Sequence, residues 1–204
     1  KAFPDNCFAM MGLHPCDVKE DFEKELAIVR QHLKNGNYIA VGEIGIDLHW
    51  DKSTLAWQQQ AFRTQLQWAK EFDLPVAIHV RESFDEIFEI VEQEADPKLR
   101  GVFHCFTGAK EQADRAISLG FYLGIGGVVT FKNSHLPETL KEVPLNKIIL
   151  ETDSPYLAPT PNRGKRNESS NLIFIAEKIA EIHQIEVAKV AETTTANALK
   201  LFQI

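Results

Sequence analysis

Short apolar runs alternate with longer amphipathic segments along the chain. The apolar runs contain almost no polar positions, which is typical of parallel strands that are covered on both faces. They predict six strands, at residues 7–11, 38–41, 75–80, 101–105, 121–125 and 147–151.

The amphipathic segments repeat apolar residues at the three- and four-residue spacing of a helix that buries one face. The first stripe consists of Phe22, Leu26, Val29 and Leu33. Helices are predicted at residues 21–34, 53–71, 83–94, 109–119 and 172–182, followed by a final pair at 185–191 and 195–202. This alternation of strands and helices predicts an α/β fold whose parallel strands are joined by right-handed crossovers.

A dinucleotide-binding sheet is less consistent with the sequence, because no glycine-rich phosphate fingerprint follows the first strand. The glycines at Gly124, Gly126 and Gly127 end a strand rather than begin a helix. We interpret them as a place of close backbone packing.

Composition and length indicate one soluble globular domain, residues 1–204, with 44% hydrophobic and 25% charged residues. No apolar run is long enough to suggest a membrane span. The three cysteines have no Cys-x-x-Cys spacing, so they indicate neither a disulfide framework nor a zinc finger and favour a cytoplasmic location. The net charge of −7 argues against a broad basic surface for nucleic acid, but it leaves open an enzyme that acts on nucleic acid.

Four ionisable side chains lie at or just after the ends of four different predicted strands. Glu43 follows the strand at 38–41, His79 and His104 lie near the ends of the next two, and Asp153 follows the last. Because the carboxyl ends of parallel strands in a barrel face the same side, we expect these side chains to converge. Imidazole nitrogens and carboxylate oxygens together predict a site for divalent cations.

Each of these residues alone has a structural interpretation. A histidine at a strand end is commonly a hydrogen-bonded, half-buried residue, and an Asp before Ser-Pro commonly caps a turn. Four such residues at equivalent strand ends favour metal binding over four separate structural roles.

Seven motifs in order make the chain similar to a known family. They are GLHP (12–15), GEIGID (42–47), PVAIHVR (75–81), FHCFTG (103–108), GIGG (124–127), ETDSPYLAP (151–159) and RGKRNES (163–169). With these motifs the chain resembles the TatD-like metal-dependent deoxyribonucleases, which are amidohydrolase-type (β/α)8 TIM barrels.

The resemblance implies roles for the four strand-end residues. Glu43 is expected to bridge two divalent cations (Mg²⁺, Mn²⁺ or Zn²⁺), with His79 and His104 as further ligands. Asp153 is expected to be a ligand and the base for a metal-activated water. The implied activity is exonucleolytic hydrolysis of DNA, and no obligate protein partner is indicated.

Further residues are candidates for substrate binding. His14 lies at the end of the first strand, where contact with a substrate phosphate and a structural role are both open. Arg81 is expected to contact either a phosphate oxygen or a neighbouring carboxylate. Arg163 and Lys165, in the basic loop after the last strand, are expected to contact a phosphate or a strand end of the substrate, with a solvated loop as the alternative. Trp50 could stack on a base, but a packing role or an exposed loop position is the favoured interpretation. Asp47 is expected to orient the loop of Glu43 rather than to bind metal.

The chain departs from the family pattern at its beginning. About six of the eight strands are present, and the family's first strand, which ends in His-x-His, has no counterpart after Lys1. We expect either an N-terminally incomplete hydrolase barrel or a natural short form with an altered metal site.

Three functions therefore remain to be distinguished. The first is a metal-dependent nuclease of DNA. The second is a metal-dependent hydrolase of an ester or amide, such as an aminoacyl-tRNA. The third is a barrel that has lost catalysis and serves in binding or assembly.

Overall fold

The computed structural model describes Phe3 and residues 6–204, so Lys1, Ala2, Pro4 and Asp5 of the expected domain lie outside the description. The chain divides into two compact units, Lys1–Val102 with Leu201–Ile204, and Phe103–Lys200. None of the helices in the described part of the chain has the length and apolar character that a bilayer span requires.

The first unit has a parallel arrangement of strands in which β2 pairs with both β1 and β3. Its elements are β1 (Met10–Met11), α1 (Phe22–Asn35), β2 (Ala40–Asp47), α2 (Leu55–Phe72), β3 (Val76–Arg81) and α3 (Phe84–Gln93). The core forms where β2, β3 and α2 bury Ile44, Ile78, Phe62 and Leu66.

The strand β4 (Gly101–Phe103) leads the chain into the second unit. The elements that follow are α4 (Lys110–Ser118), β5 (Tyr122–Ile125), α5 (Leu136–Leu140), β6 (Ile148–Leu150), α6 (Leu172–His183) and α7 (Val187–Phe202). β5 and β6 are parallel, and the rings of Phe103 and Phe121 pack edge to face with centroids 5.3 Å apart. Both phenylalanines are buried and form part of this unit's core.

The six strands are neighbours in chain order in a six-stranded sheet. A doubly wound sheet reverses its strand order at a switch point, whereas a (β/α) barrel adds each strand beside the previous one. The observed order therefore agrees with the predicted barrel type and not with a dinucleotide-binding sheet.

The predicted end of the second strand at residue 41 is wrong, because β2 continues to Asp47. Two glycines allow this continuation. A Cβ atom on Gly42 would lie 2.7 Å from the Cβ of Ala77, and one on Gly45 would lie 2.0 Å from the carbonyl oxygen of His79. Glycine inside a strand marks such close backbone approach, and here it extends the strand through the GEIGID motif.

The predicted pair of helices at the end of the chain is also wrong, because α7 is continuous. The prediction broke the helix at a run of threonines, whose β-branched side chains lower helix propensity. In the structure Thr194 is buried and its hydroxyl donates to the carbonyl of Val190, one turn earlier. Tertiary packing therefore outweighs local propensity here.

The buried face of α1 agrees with the predicted stripe, but that of α2 includes two polar residues. Gln65 accepts from the backbone N–H of Leu13 and donates to its carbonyl oxygen. Gln58 makes the same pair of bonds to Asp47. A buried amide is tolerated when both of its polar ends are paired, and these two side chains fix α2 against the segments that carry candidate site residues.

Glu94, just after α3, joins α2 to α3 through an ion-pair network. Its carboxylate accepts from Lys70 at 2.8 Å and from Arg63 at 3.0 Å. Burial would raise the pKa of Glu94, but the hydrogen bonds from Lys70 and Arg63 outweigh it and hold the pKa below its ordinary value. The charged form is therefore stabilised in the folded state.

We expect Glu94→Gln to lower the free energy of unfolding by about 1–3 kcal/mol at neutral pH. Since the folded pKa is lowered, this contribution is complete above the ordinary pKa of 4.5 and is lost as the pH falls through the folded value. Urea unfolding at about pH 7 and about pH 3.5 measures both effects. Exposed Glu20 provides the control Glu20→Gln, and an equal loss of stability at both pH values would contradict the prediction.

Candidate metal centre

A β-bulge in β2 places Glu43. Val41 pairs with Val76 and Ile44 pairs with Ile78, so two residues of β2, Gly42 and Glu43, lie opposite one residue of β3. A bulge of this kind turns a side chain out of the strand's regular alternation. Glu43 is thus half-buried while its neighbours in β2 are buried. The sequence predicted that Glu43 follows the strand, but it lies inside β2.

Glu43 lies beside two histidines of the same unit. The Nε2 atom of His14 is 3.7 Å from Glu43 Oε2, and the rings of His14 and His79 have centroids 4.6 Å apart. One possible ligand atom from each of these three side chains lies within 4.8 Å of the others. Nitrogen and carboxylate donors at such spacing, partly shielded from solvent, fit a divalent cation such as Zn²⁺ or Mn²⁺.

Asp47, at the end of β2, orients His79. Its Oδ2 lies 2.9 Å from His79 Nε2, and its Oδ1 accepts from the backbone N–H of His49 at 3.0 Å. Burial would raise the pKa of Asp47, but the hydrogen bonds from His79 and His49 outweigh it and hold the pKa below its ordinary value. A charged carboxylate at Nε2 keeps the proton on that nitrogen, which leaves Nδ1 of His79 as the nitrogen that can bind a cation.

His14 is oriented in a different way. Its Nδ1 accepts from the backbone N–H of Cys16 at 3.2 Å, so the proton of the neutral ring is assigned to Nε2. An Nε2–H group donates to an anion, whereas cation binding through Nε2 needs its lone pair. In this protonation state His14 is a donor on the side of Glu43 rather than a cation ligand, and both interpretations of the sequence, a phosphate contact and a structural role, stay open.

In the second unit, His104 lies between two carboxylates. Its Nδ1 is 3.0 Å from Glu151 Oε2, and its Nε2 is 3.3 Å from Asp153 Oδ1. The other oxygen of Glu151 accepts from the backbone N–H of Cys105 at 2.7 Å. With the proton on Nδ1, the Nε2 lone pair of His104 points to the side of Asp153, where a cation can be shared between them.

The position of Glu151 depends on Gly124. A Cβ atom on Gly124 would lie 2.2 Å from Glu151 Oε2, the oxygen that contacts His104. Any larger residue would push Glu151 away from the histidine. The first glycine of the GIGG motif thus allows close packing, as predicted. This packing keeps Glu151 in contact with His104.

Asp153 follows β6, as predicted, and adopts a left-handed backbone conformation with φ of 56°. Asp and Asn tolerate this conformation better than most residues. Its side chain is 27% exposed, so it remains accessible to water and substrate.

The basic loop is tied to the segment that carries Asp153. The buried Asn167 donates to the carbonyl oxygens of Thr152 and Tyr156, on either side of Asp153. Arg163 and Lys165 are exposed, and the Arg163 guanidinium lies 3.7 Å from the centre of the Phe131 ring. Asn167 therefore anchors the basic loop to the backbone on both sides of Asp153.

The remaining candidate, Arg81, lies at the end of β3. Its guanidinium is 5.3 Å from the centre of the Trp50 ring. The two interpretations of the sequence were a phosphate contact and a carboxylate contact, and neither included this aromatic partner.

Three residues have roles in the structure that were not predicted from the sequence: Asp47, Glu151 and Asn167. Asp47 was expected to orient the segment of Glu43, but the structure shows its carboxylate bonded to His79. Glu151 had a signal, because a charged residue ends a buried strand there. Asn167 had no signal in the sequence, because its role depends on two carbonyl groups that lie near it only in the folded loop.

Comparisons with known proteins agree with these features. The model of the family described as TatD related DNase matches residues 1–203. A metal-dependent hydrolase of Bacillus subtilis, YabD, named as uncharacterized, is 41% identical over 201 residues, which cover 98% of this chain and 79% of that protein. The 3'-5' ssDNA/RNA exonuclease TatD of Edwardsiella piscicida is 34% identical and matches 100% of this chain and 81% of its own length.

The fold is also that of a solved relative. The crystal structure of YJJV, a TatD homologue from Escherichia coli, superimposes with a TM-score of 0.92 at 29% identity. The match covers 100% of this chain and 80% of that protein. The predicted barrel-type α/β fold and the predicted dependence on metal are confirmed. The chain belongs to the family of TatD-related DNases and is a metal-dependent hydrolase of that family.

Proposed function

We propose that this hydrolase cleaves the phosphodiester bonds of DNA, working from a strand end. The observation that carries the proposal is the pair of histidines, His79 and His104, each held by a buried or half-buried carboxylate at one nitrogen. This arrangement orients the other nitrogen for a cation, and cations suit the hydrolysis of a charged diester. The name of the Edwardsiella relative, an exonuclease on single-stranded DNA and RNA, supports the same substrate class.

Four residues are proposed to hold the metal. Glu43 would bridge two cations, His79 and His104 would each contribute one ring nitrogen, and Asp153 would contribute a carboxylate oxygen. When bound, divalent cations lower the pKa of water and stabilise negative charge on the phosphate. The neutral imidazoles add no negative charge that would repel a phosphodiester.

Asp153 is proposed to accept the proton of the attacking water. Its partial exposure leaves room for water, and its Oδ1 already lies beside the His104 ring. The pair of hydrogen bonds from Asn167 to the neighbouring carbonyls keeps the Asp153 backbone in place. A base held in this way can act without reorganisation of the loop.

Substrate phosphates are proposed to contact four donors. His14 offers an Nε2–H group, and Arg81, Arg163 and Lys165 offer positive charge on an otherwise acidic protein. Local positive charge is sufficient to attract phosphate when the net charge is negative.

We propose that the enzyme acts in the cytoplasm. Cys7, Cys16 and Cys105 are thiols rather than halves of disulfides, which is consistent with a reducing compartment.

Hydrolysis of an end-labelled DNA strand with added Mg²⁺ or Mn²⁺ tests the function. We expect stepwise shortening of the strand that stops with a chelator and is lost in Glu43→Gln, because the substitution removes the charge proposed to bridge the cations. Glu111→Gln, at an exposed position of α4, is the matched control and should retain activity. Bound metal without cleavage of DNA, together with hydrolysis of an aminoacyl ester, would refute the proposal.

A further inference from the structure

A small cavity opens beside the end of β2 in the first unit. Its volume is about 250 Å³, and its wall includes Val18, Trp50 and Gln58 together with the charged side chains of Lys19, Asp47 and Asp51. This volume lies just below the range of roughly 300–1,000 Å³ that is typical of pockets for drug-sized ligands. It suits a group of the size of one flat ring system.

Three polar side chains of the wall, those of Asp47, Asp51 and Gln58, already have hydrogen-bond partners within the protein. Gln58 is bonded to the backbone of Asp47, and the Asp47 carboxylate is bonded to His79 and His49. The wall carries one cation, Lys19, and two carboxylates, Asp47 and Asp51, so its net charge is negative and the cavity favours a neutral group over a phosphate.

Trp50 provides an aromatic surface at this cavity. The residue is 73% exposed, so burial of its indole does not account for its presence. The Arg81 guanidinium lies 5.3 Å from its ring centre, and the His49 ring meets it edge to face with centroids 4.9 Å apart. These contacts hold an indole in place while most of its surface remains open.

We infer that this cavity, with Trp50 as its stacking surface, binds one nucleobase of the strand that the enzyme hydrolyses; the inference rests on the proposed function. Asp47 lines the cavity and also holds His79, so a base in the cavity lies next to a proposed metal ligand. Arg81, which lies close to the Trp50 ring, can neutralise an adjacent phosphate. Only an unpaired base can enter, so the subsite selects single strands and frayed ends.

The test combines a tryptophan variant with an abasic scan. The dissociation constant of a short single-stranded oligonucleotide is measured by fluorescence anisotropy with Ca²⁺, for wild type, Trp50→Ala, Trp50→Phe and Trp57→Ala. Base–aromatic stacking contributes about 1–3 kcal/mol per base, so Trp50→Ala should weaken binding about 5- to 150-fold. Trp50→Phe should recover part of the loss, and Trp57→Ala, at an exposed position of α2, should have no effect.

The abasic scan locates the base. One base at a time is removed along the oligonucleotide, and the effect of Trp50→Ala should disappear at one position and persist at the others. Binding and cleavage that are unchanged in Trp50→Ala, or an effect that persists at every abasic position, would overturn the inference and leave the proposed function intact. If wild type neither binds nor cleaves DNA, both are refuted.

Discussion

Replacing Asp153 by Asn is expected to lower the rate constant kcat for DNA hydrolysis by about 10²–10⁴-fold, the usual contribution of a positioned general base. The amide cannot accept the proton of the attacking water. The substitution also removes one negative charge from the proposed cation ligands. The assay must therefore be made at saturating metal, so that weaker metal binding does not lower the measured kcat. The KM for the strand should change much less than kcat, because Asp153 is proposed to act on water rather than on the strand.

Asn is the appropriate replacement because Asp153 has a positive φ of 56°. Asn tolerates this conformation, whereas Ala would add backbone strain to the loss of the carboxylate. Asp85→Asn makes the same change at an exposed position in α3 and should leave kcat unaltered. A kcat for Asp153→Asn within tenfold of wild type at saturating metal would remove Asp153 from the role of base.

Substitution of Asp47 by Asn, or of Glu151 by Gln, is expected to weaken metal binding by about 10–100-fold, as is usual for carboxylates that orient a histidine ligand. Each carboxylate accepts a hydrogen bond from a histidine ring on one oxygen and a hydrogen bond from a backbone N–H group on the other. The amide that replaces it has one oxygen, so one of the two donors would face an NH₂ group. The histidine would then lose its fixed orientation and proton position.

Titration calorimetry of the metal-free proteins with Mn²⁺ or Zn²⁺ measures this effect without relying on turnover. Asp85→Asn and Glu111→Gln carry the same changes at exposed sites and serve as controls. Circular dichroism and urea unfolding show whether each variant remains folded. Folded variants that bind metal with wild-type affinity would limit Asp47 and Glu151 to a structural role.

Most of the fold could be predicted from the sequence, because burial leaves a periodic pattern in it. Strands buried on both faces appear as unbroken apolar runs, and the stripe of α1 agrees with its buried face. The errors lie where another force outweighs the pattern. The buried Thr194 continues α7 through a weak segment, and the paired amides of Gln58 and Gln65 are buried on α2 in place of apolar side chains.

The sequence by itself determined the α/β class, the succession of strands and helices along the chain and the placement of four ionisable residues at or near strand ends. These are local properties, since apolar runs and the motifs beside them can be read along the chain. Only the tertiary structure decided which nitrogen of each histidine is available. His79 and Asp47 are 32 residues apart and His104 and Glu151 are 47 apart, so their hydrogen bonds exist only after the strands have paired. The bulge that turns Glu43 out of β2 is likewise a property of the pairing with β3 and not of the β2 sequence alone.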